Sequence, residues 1–162
     1  MREPIVVAAL AAVLGGCAAS SKQVKQARQA EYTCQQAEVF EAVVDVMKDQ
    51  FPPLEGMDAR TGAVVSQMRW HDHYGRRYQA GAAEVGEGAV MVGAEALVQQ
   101  GTHGGWVVLA RAHVFGHDMG SPAGVEYKPG DPRWPAWVDG KMDNFFVKIW
   151  DKLPQCRPAE GK

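Results

Sequence analysis

The chain of 162 residues sets 17 Lys and Arg against 19 Asp and Glu, for a net charge of −2, and 46% of it is hydrophobic. That near-neutral balance, without a lysine or arginine cluster, gives no basis for a nucleic-acid partner or for a polybasic lipid-binding segment. The length suits one domain built around one core and leaves no room for two.

At the N-terminus a charged start at Arg2, offset by Glu3, leads into an apolar run from Ile5 to Leu14, the layout of a secretory leader. The run is too short to span a bilayer. It closes on Leu14-Gly15-Gly16-Cys17, which resembles a bacterial lipobox. In that lipoprotein family the leader is cut before the cysteine, whose thiol carries diacylglycerol and whose new amine is usually acylated. The resemblance implies that residues 1–16 are a signal peptide and that Cys17 is the lipidation site, holding the protein to a membrane through fatty acyl chains such as palmitate. Ala18 stands where an aspartate signals inner-membrane retention in enterobacterial members. The implied address is therefore the outer membrane, with the domain facing the periplasm. Without the resemblance, the same residues also fit an ordinary signal peptide or an apolar N-terminal helix.

Residues 17–32, rich in Ser, Gln, Lys and Ala without a convincing apolar stripe, are expected to form a flexible tether. The domain is expected over residues 33–156, with 157–162 a disordered tail. Thr33, with Gln36 three residues on, has the pattern of a capping box. Phe40, Val43, Val44, Met47 and Phe51 then recur at helical spacing, and Pro52 and Pro53 end the helix. Asp58 to Gly62 has turn chemistry, and Ala63 to Trp70 is predicted as a strand with Val64, Met68 and Trp70 on one face and Gln67 and Arg69 on the other. A second strand is predicted over Arg77 to Val85, a hairpin at Gly86-Glu87-Gly88, and a third strand over Ala89 to Gln99. The fourth, Trp106 to Phe115, is apolar on both faces in its first half, which predicts a central position. Gly116 to Pro135 is predicted as a long loop. The last helix is marked by Met142, Phe145, Phe146, Ile149, Trp150 and Leu153, with Asp139 as its cap and Pro154 as its end.

These elements predict an α+β fold: an antiparallel sheet of about four strands with an N-terminal and a C-terminal helix packed on it. The stretch from Cys34 to Trp70, a helix followed by Phe51, Asp58, Gly62 and an apolar strand, is similar to the opening of helix-grip-like domains in envelope lipoproteins. One of these is a lipoprotein subunit of the outer-membrane barrel-assembly machinery. The similarity implies a helix packed on an antiparallel sheet in a noncatalytic accessory protein. It carries over no functional residue.

With Cys17 assigned to lipid, Cys34 and Cys156 remain, and an oxidising compartment favours a disulfide between them over two free thiols. His71 and His73, at the end of the first strand, and His113 and His117, at the end of the fourth, are the only histidine pairs with a spacing that suits a metal. They are expected not to converge, so no metal site and no cofactor are assigned. No serine sits in a nucleophile-elbow pattern, the cysteines are committed, and Glu38, Glu41 and Asp45 form a solvated helix face, so no enzyme is expected. Tyr127, Trp134 and Trp137 lie in or beside the Gly/Pro loop. They are candidate interaction residues or, equally, lids over an open end of the sheet. The function that follows is a membrane-anchored, noncatalytic envelope lipoprotein that binds or scaffolds a protein partner. The alternative is a periplasmic carrier of a small apolar ligand held between helix and sheet.

Overall fold

The computed structural model describes residues 19–79, 85–116 and 124–157. The leader, Cys17, His117 and Asp118, and the end of the tail all lie outside the described residues. The first element corrects the expected tether. Residues Ser21–Arg28 form helix α1, whose start is capped by Ser20 Oγ accepting the Gln23 N–H at 3.2 Å. Ala27 is buried, Arg28 bonds Asp143 at 2.8 Å, and its guanidinium lies 4.7 Å above the Phe146 ring. The two-residue strand β1, Glu31–Tyr32, follows. This segment looked unstructured because its seat is made by small alanines and by cationic stems rather than by an apolar stripe.

Helix α2 spans Gln36–Gln50, two residues later than expected, and the capping partner is Glu38, which accepts the Gln35 N–H at 3.0 Å. Thr33 instead ties the chain ends together, its N–H donating to the Cys156 carbonyl at 2.8 Å and its hydroxyl reaching the same oxygen at 3.2 Å. The predicted apolar face of α2 is buried throughout, together with Val39, Ala42 and Val46.

Among the described residues, seven strands stand in place of the expected four. After β1 come β2 (Leu54–Asp58), β3 (Ala63–Ser66), β4 (Arg69–His71), β5 (Val90–Gln100), β6 (Trp106–Gly116) and β7 (Val125–Tyr127). The predicted strand over 63–70 is broken at Gln67, which shifts the faces: Ser66 and His71 turn inward, while Met68 and Trp70 are only half-buried. Of the predicted strand over 77–85, residues 80–84 lie outside the described set; among the described ones Arg77 forms an isolated bridge with His71. The predicted long loop contains β7.

The sheet is organised by the long antiparallel hairpin β5–β6, in register from Val90 opposite Gly116 to Gln100 opposite Trp106. On the outer edge of β5 lie β4 and β3, end to end, with β2 beyond β3; on the outer edge of β6 lie β7 and β1. The apolar fourth strand is therefore interior, as its composition predicts. Alternation along β5 separates the faces: Val90, Val92, Ala94, Ala96 and Val98 are buried, whereas the intervening Met91, Glu95, Leu97 and Gln99 are not.

Against the buried face pack α2 and α3, the latter spanning Ala136–Lys152. Phe145, Ile149, Met47 and Val43 meet Val64, Val98 and Val114 in one core, and the two central alanines of β5 leave room for the helices to approach. Helix α3 starts three residues before the expected cap. Asp139 lies in its first turn and accepts the Trp134 indole N–H at 2.9 Å. A short 3₁₀ turn at Pro154–Cys156 follows.

Candidate functional site

Cys34 and Cys156, separated by 122 positions, are brought to a Cα–Cα distance of 5.0 Å with disulfide geometry. Glu38 lies close enough to complete a three-donor group with the two sulfurs, but sulfurs bonded to one another offer no thiolate pair to a metal. Among the described residues no other group of three donors is so close.

The three loop aromatics are all half-buried and packed against the core. Tyr127 crosses Gly116, where a Cβ would meet its hydroxyl oxygen at 1.8 Å, and Arg133 lies 4.3 Å above its ring. Trp134 is tied to Asp139. Trp137 covers His71, with ring centroids 5.2 Å apart, and presses on Gly75, which has φ +84°. All three thus pack against the core while keeping part of their surface exposed.

The histidines fall into separate environments. His71 opposes Val90 on the helix side of the sheet, whereas His113 opposes Gly93 on the other side. His113 stands between Glu95, at 3.3 Å, and Glu126, at 3.1 Å. His73 is exposed, and its ring lies tilted against that of Tyr74, with centroids 3.6 Å apart. Burial opposes the charge on Glu95, yet hydrogen bonds from Arg111 and His113 hold its carboxyl below the usual range.

Two features are left open. One is a cavity of about 270 Å³ where the end of α2, the start of α3 and β4 meet; Asp49, Phe51, Arg69, His71, Arg77 and Lys141 line it. The His71 Nδ1 lies 2.8 Å from the Arg69 carbonyl oxygen, so this nitrogen carries the proton and donates it. Burial, reinforced by the charges of Lys141 and Arg77, holds the His71 pKa down. Burial likewise lowers that of Lys141, with Arg77 adding to the effect. Lys141 lies 4.8 Å over the Phe51 ring.

The second open feature is the sheet face opposite α2 and α3. Leu109 is 50% exposed and Val65 38%. With Leu97 they line a shallow depression of about 510 Å³, bordered by Glu95 and Arg111.

No family model, curated protein or solved structure matches this chain. The open features therefore have to be read from their own chemistry. From the sequence, His71 is weighed with His73 as a metal pair and no metal is assigned; nothing there joins it to Arg69, Arg77 and Lys141, because three cations in three segments have no common spacing. The exposed strip was legible only as the second apolar face of the fourth strand.

Proposed function

We propose that the chain is a membrane-anchored, noncatalytic binding module of the cell envelope, held at the outer membrane by lipid on Cys17 and docking a protein partner. The observation that carries this reading is the sheet face on which no described helix packs, where Val65, Leu97 and Leu109 form an apolar strip beside the Glu95–Arg111 pair. An apolar centre with a polar, ion-paired border is the anatomy of a protein interface. The partner that suits it is a folded envelope protein presenting an apolar ridge flanked by charges of both signs. The carrier reading has less support, because Phe145 and Ile149 fill the space between α3 and the sheet, and the cavity at its end is lined by cations.

Site-specific photo-crosslinking in intact envelopes tests the proposal. A crosslinker at position 109 or 65 should give one discrete adduct, none should form from position 41 on the exposed side of α2, and Leu109→Glu should eliminate the adduct at 65. Absence of adducts at both sheet positions, or hydrolase activity in the purified protein, would refute it.

A further inference from the structure

The cavity at the α2–α3–β4 junction gathers three cations, Arg69, Arg77 and Lys141, against one carboxylate, Asp49. Arg69, Arg77 and Lys141 all line it, and none of the three forms an ion pair with a described carboxylate. The one acid on the wall, Asp49, bonds Lys148 at 2.5 Å and Gln50 at 2.6 Å and acts on Lys141 only at longer range. Arg69 spends one terminal nitrogen on Gln67, at 2.6 Å, while its Nε is buried without any hydrogen-bond partner. Arg77 spends one nitrogen on the Pro52 carbonyl, at 2.9 Å. His71 has its Nδ1 proton committed to Arg69, which leaves Nε2 as the nitrogen able to take up a proton and donate it.

A buried guanidinium N–H without an acceptor costs free energy, and cations that share a small cavity repel one another. Both penalties vanish when an anion enters. We propose that this cavity is a binding site for a tetrahedral oxyanion, a phosphate or sulfate group, held by Arg69, Arg77 and Lys141 with His71 as a fourth donor. Planar guanidinium forks and a point-charged ammonium together match such a group. The volume, about 270 Å³, admits such a group together with several waters.

Binding couples to protonation. Lys141 from α3, Arg77 and Arg69 from the β4 region, Asp49 from α2 and Asp72 from the following turn are the charged groups around His71. Burial and the neighbouring cations disfavour the imidazolium. A bound dianion reverses that balance, so the complex takes up a proton and affinity rises as pH falls.

The test is calorimetric titration of the full chain in detergent with sodium sulfate, whose charge is constant from pH 8 to 6, and with inorganic phosphate. Binding at one site is expected, with sulfate affinity about tenfold stronger at pH 6 than at pH 8. Arg69→Gln and Lys141→Met should each weaken it by about tenfold or more, corresponding to the loss of one charge-assisted contact. Lys141→Arg should retain binding, as should Arg60→Gln, which removes a cation far from the cavity. Lys141→Met relieves repulsion, so its thermal unfolding should be no lower than wild type in anion-free buffer, which separates lost binding from lost folding. Dihexanoyl phosphatidic acid identifies the source: competition with sulfate points to a phosphate ester, and binding of inorganic phosphate alone points to the free ion. No saturable sulfate or phosphate binding, or binding unchanged in both Arg69→Gln and Lys141→Met, would overturn the proposal.

Discussion

His71 carries the clearest pH dependence at the scale of single residues. Its pKa in the folded chain lies below the ordinary 6.5 because burial and neighbouring cations disfavour the imidazolium. Above that value both folded and unfolded chains hold it neutral, and it contributes no slope. As pH falls below about 6.5 the unfolded chain binds the proton first, so stability should decline toward acid. Urea unfolding at a series of pH values in anion-free buffer should show this decline, and His71→Phe should flatten it; an unchanged slope in the variant would assign it elsewhere. Gly62 gives a second, purely steric case. It adopts φ +76° at the β2–β3 turn, and a Cβ there would stand 2.2 Å from the Val98 carbonyl oxygen. Since the backbone carbonyl of a central strand cannot yield, Gly62→Ala should cost about 2 kcal/mol or more in denaturant unfolding.

At the scale of elements, α3 and the β5–β6 hairpin hold the fold together, and they were also its most legible parts. Phe145 is fully buried and makes an edge contact with Phe51, at 6.5 Å between centroids. Phe145→Ala should destabilise by about 3–5 kcal/mol, because so large a hole between helix and sheet closes only partly. The periodicity that marked α2 and α3 was visible because both helices bury one wide face. The strands that escaped notice are short and lie at the margins. Asp58, the last residue of β2, reads as the start of a turn, and β1 has two residues attached to a helix of Lys, Gln and Arg. Marginal strands need little burial of their own when a long neighbour supplies the hydrogen-bonding edge. The cationic cavity was hidden for a related reason, since it exists only where three separate elements meet.

The Cys34–Cys156 pair also acts between elements, joining the entry to α2 to the exit from α3. Closing a loop of 122 positions should stabilise the folded chain by about 5 kcal/mol in the chain-entropy model. Maleimide counting on denatured, unreduced protein should find neither thiol free, and reduction should lower the urea midpoint. Two reactive thiols before reduction would remove the bridge.

For the whole molecule, the proposed address rests on Cys17. Cys17→Ser should abolish metabolic labelling with fatty acid and leave an uncleaved or soluble species, and persistent labelling would refute the anchor. If the label is lost, the position of helix α1 acquires a mechanical meaning. Helix α1 begins at Ser21, four residues beyond the proposed anchor, and four residues reach at most about 14 Å even when fully extended. The described body would then ride against the bilayer surface with little freedom to swing. Any pull on the lipid would enter through α1, peeling it from α3 at the Arg28–Asp143 contact before the load reached β1 and the central hairpin. Such a protein would serve as a short, stiff bracket: it could hold a partner at a set height above the membrane, but it could not fish for one at a distance.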